Sequence, residues 1–246
     1  MMRSASPGGK IVATTAIALV ALVGLSWLAV GMAAEKPASK PDADGFVSIF
    51  NGKDLTGWDA KPGWWHVEDG ALTSQSTAEK PCKKCNYIIW TGGKPGDFDL
   101  RAKFKLVGGN SGIQFRSERR PDWDTYGYQA DMDGPNKWTG CVYAHGRGKV
   151  TGIGEKTVIA ADGKKTITSI GDKAKLIQAV KTGDWNEYRI IAKGAEITLM
   201  INDVVMCKAI DNHKAKAARK GIIALQMHPG PPMKVQFKDI RLKKLD

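Results

Sequence analysis

The sequence predicts an all-β fold of short strands, a sandwich or a barrel, on three observations. Residues 98 to 107, FDLRAKFKLV, alternate apolar and polar side chains almost without a break. Residues 187 to 210 hold three β-rich runs parted by Lys193-Gly194 and Asn202-Asp203, both suited to hairpin turns. Convincing long helices are absent, and only DNHKAKAARKG, residues 211 to 221, has room for a short helical turn. One domain of about 200 residues is a usual size for such a fold. No repeat with a period of about 20 to 50 residues points to a propeller.

The elements can be taken in chain order. Arg3 and Lys10 precede an uncharged apolar run over residues 11 to 34, which ends in the small residues Gly31, Ala33 and Ala34. A basic start, an apolar centre and small residues at the end define a signal peptide, and cleavage is the favoured outcome. The run is also long enough to span a bilayer as an uncleaved anchor, the one membrane contact the sequence offers. Either form implies export, to the periplasm or beyond the cell. A lipoprotein is disfavoured, because the first cysteine, Cys82, lies far past the apolar run. Residues 35 to 45, rich in Pro, Lys and Asp, read as a solvated linker, and residues 46 to 246 as the folded domain.

The chain carries 37 Lys and Arg against 25 Asp and Glu, a formal net charge of +12. Arg3 and Lys10 belong to the leader, which leaves 35 against 25, or +10, on the rest. Much of the excess sits at Lys164, Lys165, Lys173 and Lys175 and in HKAKAARK, residues 213 to 220. An exported chain without a nucleic-acid motif does not call for a nucleic-acid partner. Solvated loops, or attraction to acidic cell-surface polymers, account for the charge more simply.

Four cysteines are present. Cys82 and Cys85, as CKKC in an exported chain, are expected to close a small disulfide loop. No histidine follows Cys85 to support haem attachment, and no second C-x-x-C supports a zinc ribbon. Cys141 and Cys207 lie in strand-like runs and read as buried thiols.

In the strands, side chains alternate between faces. In residues 98 to 107, Phe98, Leu100, Ala102, Phe104 and Leu106 face inward. In GNSGIQFR, Ile113 and Phe115 oppose Gln114 and Arg116; in GYQADMD, Tyr128, Ala130 and Met132 oppose Gln129, Asp131 and Asp133. Tyr143 and His145 share a face of TGCVYAHG, and Gln226 and His228 share a face of IIALQMH. The last run, KVQFKDIRL, reads as the closing strand.

Several of these runs carry a resemblance. FVSIFNGKDLTGW, VEDGAL, GDFDLRAKFKL, GNSGIQFR, GYQADM, GDWNEYRI and LQMHPGPPMKVQFKDIRLKKL follow one another from residue 46 to 245. In this order the chain resembles the 3-keto-disaccharide hydrolase domain family. The resemblance implies a concanavalin A-like, jelly-roll β-sandwich of two antiparallel sheets, one of them cupping a sugar. It also implies action on 3-keto-glycosides, by members described as hydrolases or as lyases coupled to hydratases.

The chemistry of such a substrate sets what the site needs. A ring ketone acidifies the hydrogen on the carbon between it and the anomeric centre, so a base can remove that proton and expel the aglycone by β-elimination. Water then adds to the enone. A base, a partner for the enolate oxygen and polar groups to orient the sugar suffice. The paired carboxylates of an ordinary glycosidase are not required. His228 is the first candidate for base or metal ligand, with Arg116, Asp131, His145 and Tyr143 as further catalytic candidates. Gln114, Gln129 and Gln226 are expected to bind the sugar, and Trp123 and Trp138 to stack on it. Related sequences commonly carry an acidic pair and an arginine after the motif tyrosine, whereas Tyr143 here precedes Ala144, His145, Gly146 and Arg147. An acidic base at that place would have to be replaced by His145.

A divalent metal is one option for the site, with Asp131 and His228 as candidate ligands and His145 of suitable type, although no H-x-x-x-H spacing occurs. Residues 148 to 181 read as a lid or a variable loop. A β-glucanase of the same sandwich class is disfavoured, because Gln129 stands where a nucleophilic glutamate would be needed. A non-catalytic carbohydrate-binding module is the alternative function, and the eight tryptophans suit it.

Overall fold

The computed structural model describes residues 40 to 245, so the expected leader, residues 1 to 34, lies outside the described residues. Along the chain run β1 (Val47–Ser48), β2 (Trp58–Ala60), β3 (Trp65–Glu68), β4 (Ala71–Ser76), β5 (Asn86–Trp90) and β6 (Phe98–Val107). They are followed by β7 (Asn110–Arg120), β8 (Asp124–Asp133), β9 (Val142–Ala144), β10 (Gly148–Thr151), β11 (Glu155–Ile159) and β12 (Lys165–Ser169). A short helix α1 (Lys173–Ile177) leads to β13 (Asn186–Lys193), β14 (Glu196–Ile201), β15 (Val204–Asp211), β16 (Ile222–Met227) and β17 (Met233–Lys244). One sheet has the order β12-β11-β15-β14-β13-β6-β17-β4-β3, with β1 also paired to β17. The other has the order β10-β9-β8-β7-β16-β5-β2.

The sheets meet through the faces that the alternation marks as apolar. Phe98, Leu100, Ala102, Phe104 and Leu106 are buried with Ile113, Phe115, Tyr128, Ala130 and Met132 in one core. Phe115 lies edge-on to Phe98 at 6.2 Å and stacks on Tyr128 at 5.6 Å. Each such pair adds about 0.5–1.5 kcal/mol beyond area burial. The opposite, outer face of the seven-stranded sheet carries Gln114, Gln129, Asp131 and Gln226, and with them the site.

The pairing is antiparallel as expected, apart from β11 and β15, which run parallel because β10 delivers the chain from the other sheet to the edge left by β15. Four expectations need correction. Residues 148 to 181 are three strands and a helix rather than a loop. The helix is α1, capped by Asp172, whose carboxylate accepts the Lys175 N–H at 3.0 Å. Residues 211 to 221 make only single turns, held by Asp211 through the His213 N–H and by the Arg219 guanidinium on the Asp211 carbonyl. Cys82 and Cys85 are free thiols. They pack in different places: Cys82 in the core between the sheets, Cys85 against the outer-face residues around Tyr87. Cys141 and Cys207 are buried thiols as expected.

The fourth correction concerns Arg116. The β7–β8 register shifts between Phe115 and Glu118, and Arg116 sits in this bulge with a left-handed φ of 45°. A bulge adds a residue to one strand and re-aims its side chains. Arg116 consequently leaves the outer face and runs to the other sheet, where Nε donates to the Gly96 carbonyl at 2.9 Å and Nη1 to the Gly194 carbonyl at 2.7 Å. Nη2 donates to Asp97 Oδ1 at 2.8 Å. Its side chain is 0% exposed. Gly221 crosses over the bulge so closely that a Cβ there would lie 2.4 Å from the Arg116 carbonyl carbon.

Arg116→Met takes a buried guanidinium's donors from the Gly96 and Gly194 carbonyls, while Asp97, 31% exposed, can turn to water. The fold should be destabilised by about 1–3 kcal/mol, read as a lower urea midpoint. An unchanged midpoint would contradict the role of this arginine as the tie between the sheets.

Candidate active site

On the outer face of the seven-stranded sheet, Tyr87 of β5 lies opposite Gln226 of β16, Gln114 of β7 opposite Gln129 of β8, and Gln129 opposite Tyr143 of β9. These side chains form a directed hydrogen-bond relay. Ser117 Oγ donates to Gln114 Oε1 at 2.7 Å, and Gln114 Nε2 donates to Gln129 Oε1 at 2.8 Å. Gln129 Nε2 donates to Gln226 Oε1 at 3.1 Å, and Gln226 Nε2 to the Tyr87 hydroxyl at 2.8 Å. Gln129 reaches Gln226 only by crossing β7, and it crosses over Gly112. A Cβ at 112 would stand 2.4 Å from Gln129 Nε2, so glycine at this position holds the crossing open.

Above this floor opens a cavity of about 580 Å³. Gln129, Asp131 and Gln226 line it, as do Tyr143, His145, His228 and Trp138. Asp131 is 5% exposed; its Oδ1 accepts from Asn110 Nδ2 at 3.0 Å, from the Met132 N–H at 2.9 Å and, at 3.4 Å, from Gln129. Among the described residues Oδ2 has no hydrogen-bond partner, so the carboxyl offers this oxygen to a ligand. Burial pushes the carboxyl up to about 7, against these three hydrogen bonds and with the help of the neighbouring Asp133 charge.

Both histidines follow directly on strand ends. His228 Nδ1 lies 2.6 Å from the Pro229 carbonyl and His145 Nδ1 2.8 Å from the Thr125 carbonyl. A carbonyl only accepts, so each Nδ1 carries the proton and each Nε2 holds the lone pair. Burial lowers His228 below its usual value, opposed by the Pro229 carbonyl and assisted by His145. The cavity rim is apolar, with Trp138 edge-on to Tyr143 at 6.3 Å and Pro135, Pro229 and Pro231 beside them. Asp133 sets Trp138 in place by accepting the N–H groups of Lys137, Trp138 and Thr139.

The structure thus gathers His228, Asp131, His145, Tyr143, Gln129, Gln226 and Trp138 on one cavity. It removes three expected residues. Arg116 lies in the bulge and serves the other sheet. Gln114 is fully buried beneath the floor, where it orients Gln129 rather than a sugar. Trp123 donates to Asp59 at 2.8 Å and packs with Tyr87 and Cys85 beside the cavity without itself lining it. For a metal, Asp131 and His228 line the same cavity, but no group of three ligand-type side chains converges among the described residues.

Sequence reasoning missed Tyr87, Asn110 and Cys85. Asn110 shares the strand face of Gly112 and Gln114, so its period was readable; Tyr87 was hidden because NYIIW shows no polar face. The Cys85 thiol is pushed up to about 11, chiefly by burial, and stays protonated.

Fold and site together define a two-sheet β-sandwich with a polar-floored, apolar-rimmed cavity on the outer face of one sheet. The chain belongs to the family of 3-keto-alpha-glucoside-1,2-lyase-like domains, whose model matches residues 45–243. Among solved structures, it is similar to a protein from Parabacteroides distasonis ATCC 8503 provisionally described as a glycosyl hydrolase. That match has 19% identity, covers 81% of this chain and 99% of the other, and has a TM-score of 0.56. A second such protein from the same organism matches at 18% identity, over 83% and 95% of the two chains, with a TM-score of 0.53. The carbohydrate-binding module CBM66 from Bacillus subtilis matches at 14% identity, over 76% and 96%, with a TM-score of 0.51. At these identities the solved structures establish the fold alone. No curated protein matches the chain.

Two predictions follow from the floor. Gly112→Ala should push Gln129 off its crossing and lower turnover or ligand affinity at least about tenfold, as small misplacements do, with thermal stability much less affected. Asp131 binds its proton more tightly in the folded chain, so the stability it confers is full below its unfolded value and lost as pH rises through about 7. The thermal midpoint of Asp131→Asn should therefore gain on that of the wild type between about pH 4 and pH 8. Parallel curves would place the raised carboxyl elsewhere.

Proposed function

We propose that this cavity cleaves 3-keto-glycosides by β-elimination followed by hydration, a net hydrolysis. The observation that carries the reading is the pairing of a buried carboxyl, Asp131, with His228, whose Nε2 is unprotonated, over a floor of oriented amides. Burial favours the uncharged form of each group, and the uncharged forms are the useful ones: imidazole as base, carboxylic acid as donor.

In this reading His228 Nε2 takes the proton from the carbon between ketone and anomeric centre. Electrons move onto the ketone oxygen, which protonated Asp131 meets with a hydrogen bond. The enolate collapses to form the carbon–carbon double bond, the anomeric C–O bond breaks, and His228 returns its proton to the departing aglycone oxygen. Water then adds its oxygen to the anomeric carbon and its hydrogen to the neighbouring carbon. His145, whose Nδ1 likewise faces a carbonyl and leaves Nε2 to the cavity, is the second candidate base. Trp138 and Tyr143 offer the rim on which the aglycone or sugar ring rests. The leader read in residues 1 to 34 supports work outside the cytoplasm.

The test is aglycone release from a 3-keto-glucoside and from its unoxidised parent. Release from the keto-sugar alone is expected, with a loss of about 10²–10⁴-fold in His228→Ala, the usual worth of a general base. A larger loss in His145→Ala would move the base there. The rate should fall as pH rises through about 7 and lose that limb in Asp131→Asn; a rate that rises through the same range would make Asp131 the base. Binding of the keto-sugar without release would instead support a carbohydrate-binding module.

A further inference from the structure

A second cavity, of about 350 Å³, lies on the far side of the turn that carries His145. Arg147, Lys149, Lys165 and Lys216 line it, together with His213 and one carboxylate, Asp162. The four cations come from three separate segments: the β9–β10 turn running into β10, the start of β12 and the loop after β15. Distant parts of the chain therefore converge their positive charge on one concavity, which a solvated lysine run does not do.

The hydrogen bonding leaves this charge available. Arg147 spends Nη1 on Asp211 Oδ2 at 2.6 Å, on the Lys216 carbonyl at 3.0 Å and, at 3.5 Å, on the Tyr128 hydroxyl, and among the described residues Nε and Nη2 have no hydrogen-bond partner. Asp211 is fully buried and is also held by the Tyr128 hydroxyl at 2.6 Å, so it anchors the arginine without covering its outer edge. Lys165 Nζ meets only the Lys149 carbonyl, at 2.6 Å, and Lys149 stands 3.8 Å from Glu155. Among the described residues neither Lys165 nor Lys216 is in salt-bridge range of a carboxylate. His213 Nδ1 accepts the Ala215 N–H at 3.2 Å, so Nε2 carries the ring proton and lies against Gly163 of the same cavity. Burial, then the Arg147 and Lys149 charges, lower Lys165 from its usual value, outweighing the opposing charges of Asp211 and Glu155.

We propose that this cavity is a second binding site, for an oxyanion borne on a sugar: a uronate carboxylate or a phosphate or sulfate ester. A fork-shaped guanidinium edge, two ammonium groups and an imidazole N–H match three-oxygen or two-oxygen anions, and a cavity of about 350 Å³ has room for a pyranose ring with the anion. The site is independent of the chemistry assigned to the first cavity.

Calorimetric titration of the full chain with glucuronate, glucose 6-phosphate, inorganic sulfate and glucose tests it. Binding of glucuronate or glucose 6-phosphate, none of glucose, and at least about a tenfold weakening in the Lys149→Ala/Lys165→Ala double variant are expected, with affinity falling as salt rises. Whichever of the two sugars binds tighter identifies the anion, and unchanged binding in His228→Ala separates this site from the first. Equal weakening in a Lys53→Ala/Lys94→Ala control, whose exposed lysines lie elsewhere, would overturn the site in favour of diffuse charge. Inorganic sulfate binding as tightly as both sugars would overturn the sugar-borne ligand.

Discussion

The bulge in β7 is the constraint on which the site depends. One extra residue, Arg116, turns away from the outer face to hold the opposite sheet, and the strand resumes its alternation one position later. Ser117 therefore joins Gln114 on the outer face, where its hydroxyl fixes which end of the Gln114 amide points onward. The orientation passes to Gln129, to Gln226 and to Tyr87, and Gln129 adds a bond to Asp131. The same distortion thus ties the sandwich together and gives the cavity floor its direction. Gly221 and Gly112 supply the two close approaches that this arrangement requires.

The cavity is built from groups that burial keeps neutral. Asp131 is raised, His228 lowered, and the Cys85 thiol held protonated, each first by loss of water. Such a site suits a substrate whose charge develops only during reaction, because a charged resting site would have to be desolvated for each encounter. The positive charge of the chain is kept apart from it, in the second cavity beyond the His145 turn and on the outer strands.

Period and punctuation carried much of the fold. The alternation in residues 98 to 107 became β6, the hairpin dipeptides became the turns between β13, β14 and β15, and the polar faces of residues 127 to 133 and 225 to 228 became the cavity floor. What the period could not convey was a change of face within a strand. Arg116 obeys the pattern in sequence and breaks it in space, since a left-handed residue costs little to write and leaves no compositional trace. The same limit applies to Gln114, whose side chain is on the expected face but is covered by neighbours. Trp123 and the Cys82–Cys85 pair depend on how the β7–β8 loop and the approach to β5 fold back, which local spacing does not encode. The parallel β11–β15 pair is likewise a matter of which edge remains free when the chain arrives.

The direction of the amide relay has a stereochemical consequence. Both N–H bonds of Gln129 are taken, by Gln226 and Asp131, and both of Gln226, by Tyr87 and Cys85. Toward the cavity these two amides present lone pairs only. They can receive a hydroxyl hydrogen, but they have nothing to give a carbonyl oxygen. On the proposed function, a sugar ring lying on this floor would be sorted by oxidation state at each carbon: its alcohols would settle on the glutamines, and its carbonyl would turn toward the side of the cavity that Asp131 occupies.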